Sequence, residues 1–134
     1  MNLLGLDIGD KKIGIAISTS GIIASELTTI PNNERAISFL IDLIKQKNIS
    51  TLVVGLPRLR SGDESFQAKK VRGFMVELTE KNPIPVVYED EILTSKEAER
   101  ILKEQGLANE QIRERVDQMS AKLILEQHLN KMSN

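Results

Sequence analysis

At 134 residues the chain has the length of one domain, 1–134, able to bury roughly 65 to 70 % of the surface its unfolded form would expose. Hydrophobic residues make up 40 % and charged residues 28 %, which excludes the disordered class, and no run approaches the ~18 consecutive apolar residues of a membrane span. The absence of cysteine excludes disulfides, thiolate metal sites and cysteine nucleophiles, and a net charge of −1 confines any polyanion binding to a local patch.

Residues 3–8, almost wholly apolar and followed by Gly9-Asp10-Lys11-Lys12, read as a buried strand entering a turn. The N-terminus thus opens into a strand rather than a basic, apolar export signal, and a cytoplasmic location is expected. Residues 13–18 form a second strand, Thr19-Ser20-Gly21 a turn, and residues 22–30 a third strand, so the chain begins as an antiparallel meander ended by Pro31-Asn32-Asn33. Over residues 34–47, Ile37, Leu40, Ile41 and Ile44 fall at helical spacing, and residues 52–56 follow as a continuous buried strand.

Pro57 stops that strand, and a polar loop through Arg58, Arg60, Ser61 and Gly62 leads to a helix with Ala68, Val71, Met75 and Leu78 on one face. Residues 85–88 make a fifth strand, which Glu89-Asp90-Glu91 leaves. Thr94 with Glu97 has capping-box spacing for a helix bearing Ala98, Ile101 and Leu102 and closed by Gly106. A last helix covers residues 110–131. The expected architecture is α/β: a five-stranded mixed sheet, three strands as an antiparallel meander and then parallel strands four and five, flanked by helices. Right-handed crossovers align strands one, four and five, so their C-terminal ends meet on the edge where open sheets place ligands.

Asp7 stands inside an apolar strand, where a carboxylate costs several kcal/mol unless charges or hydrogen bonds compensate it. Backbone N–H groups of the Gly9 turn are one source of compensation; a functional partner is the other. Gly9 and Gly14, within Asp7-x-Gly9-x-x-x-x-Gly14, would let backbone approach a phosphate or metal. Of Glu89, Asp90 and Glu91, one member is expected to point inward at the edge holding Asp7, and spacing does not choose among them. On the last helix Asp117 shares a stripe with Ser120, Ala121 and Ile124, which brings it either to the sheet or into an ion pair with Arg113. Three carboxylates converging on one edge would supply hard oxygen ligands for Mg²⁺ or Mn²⁺, and such ions can drive phosphodiester displacement without a side-chain nucleophile.

Lys11, Lys12, Arg58 and Arg60 flank that edge and are candidates for nucleic-acid phosphate contacts; Lys69, Lys70 and Arg72 form a second basic group. With three Phe, one Tyr and no Trp, extensive base stacking is not expected. His128, the lone histidine, reads as a packing or helix-surface residue.

Four segments in order resemble the YqgF/RuvX family of pre-16S rRNA nucleases, related to Holliday-junction resolvases of the RuvC type. They are residues 5–16 (GLDIGDKKIGIA), Val53-Val54-Gly55-Leu56-Pro57 with the later Gly62, Asp90-Glu91-Ile92-Leu93-Thr94-Ser95, and Val116-Asp117-Gln118-Met119-Ser120-Ala121. The resemblance implies an RNase H-like fold with Asp7, Glu91 and Asp117 as divalent-metal carboxylates, and selects Glu91 from the acidic run. Ile92 stands where the family motif usually has Arg; Arg58 or Arg60 is the expected substitute. By resemblance the activity is endonucleolytic trimming of precursor 16S ribosomal RNA ends, with branched DNA as the competing substrate and a noncatalytic nucleic-acid-binding module as the rival class. No membrane partner is expected.

Overall fold

The computed structural model describes residues 1–59, 61–91 and 94–133, with residues 94 and 95 described by their backbone alone. Leu3, Leu4 and Leu6 of β1 (Asn2–Ile8) have almost no surface left, because β1 is covered on both faces and both edges. It pairs antiparallel with β2 (Lys12–Ser18) and parallel with β4 (Ile49–Pro57). β3 (Ser25–Pro31) continues the meander beyond β2, and β5 (Val86–Glu91) lies parallel beside β4. The sheet order is β3-β2-β1-β4-β5, the expected mixed five-stranded arrangement, and β1, β4 and β5 run the same way.

Side chains alternate across the sheet, and the two faces bury different helices. Leu4, Leu6 and Ile8 pack with Leu40 and Ile44 of α1 (Ala36–Gln46) and with Val71 and Met75 of α2 (Phe66–Lys81). Leu3, Ala16 and Val53 face the other way, onto Ala121, Ile124, Leu125 and Leu129 of α4 (Asn109–Met132). α3 (Thr94–Glu104) covers α4 from outside through Ala98, Leu102, Ile112 and Met119. α4 is therefore sandwiched between sheet and helix, which is why its apolar residues do not follow a single stripe.

Two expectations are corrected. The third strand begins at Ser25, three residues later than its apolar start suggested, leaving Ile22 and Ile23 largely exposed. The turn extends because the Ser18 hydroxyl accepts from Gly21 N–H, and the Ser20 hydroxyl accepts from the N–H groups of Ile22 and Ile23. The acidic run does not leave the fifth strand: Glu89, Asp90 and Glu91 stay in register with Gly55, Leu56 and Pro57. Gly106, at φ +83°, closes α3 as its sequence position suggested. The Thr94 side chain of the expected capping box lies outside the described residues.

Candidate active site

The site begins with register. Asp7 and Gly14 are direct cross-strand partners, so they share the sheet face that α4 covers. On β5, Glu89 and Glu91 point to that same face and Asp90 to the opposite one. Period-two alternation thus divides the acidic run, a division available only once the run is known to be strand.

Glycine makes the space in which these groups meet. A β-carbon on Gly14 would collide with the Asp117 backbone carbonyl and stand 2.8 Å from the Gln118 nitrogen. The missing side chain at this position lets α4 lie directly on β2, with Asp117 above Asp7's partner. The space over Gly14 is thereby filled by helix backbone rather than left open to a ligand. Gly55 does the same for Glu91: a β-carbon there would stand 2.9 Å from Glu91 Oε2 and collide with Ile124. The Glu91 carboxylate therefore lies over β4, the strand between its own and that of Asp7. Gly55 was not among the expected site residues, although its signal was visible as a lone glycine inside a buried apolar strand, where close approach of another group is the usual cause.

The result is a crowded set of carboxyls. The Asp7 and Glu91 side chains approach each other closely enough to interact directly. Burial pushes the Asp7 carboxyl well above the usual range; the negative charges of Glu91 and then Asp117 push it further. Asp117 is also raised, by burial, with Lys12 acting in the opposite direction. Lys12 rather than Arg113 is the cation bearing on Asp117, so the alternative ion pair on the helix is not made. Among the described residues no three carboxylate or imidazole groups stand at ligand spacing to one another. Asp7 and Glu91 approach each other directly, and the charge of Asp117 bears on Asp7.

Gly9 donates to the Lys12 carbonyl (2.9 Å) and its own carbonyl accepts from Asn32 Nδ2 (2.7 Å), so the β1–β2 turn is tied to the end of β3. Lys11 and Lys12 project from that turn, both exposed. Arg58 Nε donates to Asp90 Oδ1 at 2.6 Å, and Nη1 lies 3.9 Å from Glu64; Asp90 holds it on the face away from Glu91. Arg72 is locked in a two-pronged bond to Glu64 (2.8 and 2.7 Å) and lies over the Tyr88 ring, and Lys70 pairs with Asp10 at 3.3 Å. Arg60 and Ile92 lie outside the described residues.

Glu89, the fully enclosed member of the acidic run, has a different task. Its Oε1 is 3.1 Å from His128 Nδ1, while Oε2 accepts from Lys131 Nζ (2.5 Å) and Gln127 Nε2 (3.3 Å). Gln127 also donates to the Asp90 carbonyl at 3.4 Å. These bonds fasten the C-terminal part of α4 to β5 beside Glu91, and they give His128 the packing role its lack of a motif suggested.

A family model described as RuvX, Holliday junction resolvase, matches residues 1–131. The chain belongs to the RuvX family. A protein of Chloroflexus aggregans named "Putative pre-16S rRNA nuclease" is 38 % identical, over 98 % of this chain and 95 % of its own length. A Thermoanaerobacter pseudethanolicus protein of the same name is also 38 % identical, over 100 % of this chain and 99 % of its own. Among solved structures, Thermus thermophilus RuvC in complex with a Holliday junction superposes with a TM-score of 0.62 at 12 % identity, covering 100 % of this chain and 96 % of RuvC. At that identity RuvC bears on the fold alone, and the RuvX chain has the RuvC-like, RNase H-like architecture that its motifs implied.

Proposed function

We propose that this RuvX chain is a divalent-metal-dependent endonuclease that hydrolyses phosphodiester bonds at the ends of precursor 16S ribosomal RNA. The observation that carries the reading is the placement of Asp7 and Glu91 on the sheet face that α4 covers, close enough to act on each other, under the added charge of Asp117. Carboxyls brought together at strand ends, where burial and neighbouring negative charge oppose ionisation of Asp7, constitute a site short of positive charge. The donor set is all oxygen, and the one imidazole is engaged by Glu89, which suits a hard cation such as Mg²⁺ or Mn²⁺. Such a cation, held by Asp7, Glu91 and Asp117, would promote ionisation of water and stabilise charge on the attacking and leaving oxygens.

The chain's own residues account for the rest. A cation's charge there would favour the ionised form of Asp7, and Glu91, held over Gly55, would stand in reach of the same centre. Lys12 bears on Asp117 from the turn and, with Lys11, offers exposed ammonium groups to a phosphate backbone. Such contacts position a strand without reading its bases. The curated relatives' names favour ribosomal RNA precursors, whereas the family description names Holliday junctions; branched DNA is therefore the second substrate to compare.

The test is cleavage of a precursor 16S rRNA end and of a four-way DNA junction in Mg²⁺, Mn²⁺ or EDTA. Metal-dependent cutting of the RNA is expected. Cutting of the junction alone would move the substrate to DNA, and nucleic-acid binding with no cutting in any metal would make the chain a noncatalytic module.

A further inference from the structure

Phe66, the first residue of α2, is 75 % exposed, the most exposed of the chain's aromatic side chains. Its neighbours tie it to the turn that follows Asp7. Ser65 caps the helix by accepting from Ala68 N–H at 3.1 Å, which fixes the direction in which α2 begins. Gln67 Nε2 donates to the Ile8 carbonyl at 3.4 Å, one residue beyond Asp7. Lys70, one helical turn on, places Nζ 5.2 Å from the Phe66 ring centroid and 3.3 Å from Asp10 of the β1–β2 turn. Lys69 beside it is exposed. The ring thus stands at the C-terminal edge of the sheet, on the α2 side, with the Lys70 ammonium over one face and the side chain otherwise open to solvent.

An exposed aromatic ring with an ammonium over one face complements one kind of occupant: a base stacked on the other face, whose phosphates meet the lysines. We propose that Phe66 is a base-stacking platform for an unpaired nucleotide of a single-stranded RNA segment next to the cleavage site. The proposal rests on the nuclease reading and names the form of substrate that site accepts. A paired base within a duplex has its faces covered by its neighbours and is not available to the ring. Phe66 therefore favours strands with unpaired nucleotides, while Lys70 exchanges Asp10 for a phosphate oxygen as the strand docks.

The chain has no tryptophan, so Phe66→Trp installs a single indole reporter at an exposed position. Full-length protein in EDTA, which stops metal-dependent cutting, is titrated with a fluorescein-labelled oligouridylate strand and with a blunt RNA duplex, following anisotropy for binding and indole emission for stacking. Quenching of the indole by the single strand but not by the duplex is expected. Phe66→Ala should weaken single-strand binding by roughly 5- to 150-fold, leave duplex binding unchanged, and be rescued by Phe66→Tyr but not by Phe66→Leu. Single-strand binding without indole quenching, or equal losses on strand and duplex, overturns the platform and leaves the nuclease reading standing. No binding of either RNA by the wild type overturns both. Stacking without cutting when metal is restored overturns only the nuclease reading.

Discussion

Asp7 and Gly14 face each other across β1 and β2, and the Asp117 backbone occupies the volume that any side chain at position 14 would need. This three-way contact binds the geometry of the site to the packing of the fold. In the Gly14→Ala variant the added methyl meets a backbone carbonyl, which cannot turn aside as a flexible side chain could. α4 has to lift at Asp117. The expected result is a loss of about 1 to 3 kcal/mol in stability by urea denaturation, as in other overpacked cores, with a fall in cleavage beyond what the unfolded fraction explains. Unchanged stability would mean that α4 does not press on β2.

The Asp7 carboxyl links the site to stability and pH. Its folded-state value lies above that of the unfolded chain, so folding takes up protons between the two values. The favourable contribution is complete below the unfolded value and is lost as pH rises through the raised folded value. Asp117 shifts in the same direction. In EDTA, Asp7→Asn should therefore raise the melting temperature, by an amount that grows as pH rises above the ordinary carboxylate range and through the raised folded value. Cleavage by the wild type should rise over the same range, because a proton on Asp7 competes with the cation. A variant less stable than wild type at the upper pH in EDTA would show that Asp7 is satisfied by its surroundings.

Glu89 is expected to matter for stability rather than for chemistry. Glu89→Gln keeps the shape but weakens the bonds to His128, Lys131 and Gln127, and should cost about 1 to 3 kcal/mol. Under conditions where the variant remains folded, the metal concentration for half-maximal cleavage should stay near that of wild type. A large shift in that concentration would make Glu89 part of the metal site.

Much of the fold was legible because apolar periodicity and turn residues agree along β1, α1, β4 and α2. The acidic end of β5 was not, since carboxylates are uncommon in strands and nothing local reveals that Gln127, His128 and Lys131, some forty positions later, satisfy Glu89. The late start of β3 was hidden for a related reason: Ile22 and Ile23 look like strand, but the hydroxyls of Ser18 and Ser20 hold them in the turn. Asp7 and Asp117 stood out from spacing alone, whereas the choice of Glu91 came from family resemblance. Register then set Asp90 apart on the opposite face, while Glu89 and Glu91 share the face over which Glu91 reaches Gly55. The basic residues were harder to read, because whether Arg58 and Arg72 are spent on Asp90 and Glu64 depends on contacts between segments.

The most direct measurement of the three-carboxylate site is the rate of Mn²⁺-dependent cleavage of a precursor 16S rRNA end by four single variants. Asp7→Asn, Glu91→Gln and Asp117→Asn should each lose about 100-fold or more, equivalent to ~2.7 kcal/mol of transition-state stabilisation. Asp90→Asn, altered on the opposite face where Arg58 holds it, should stay within a few-fold of wild type. Cleavage that persists in EDTA, or an unchanged rate in any of the first three, would contradict the site.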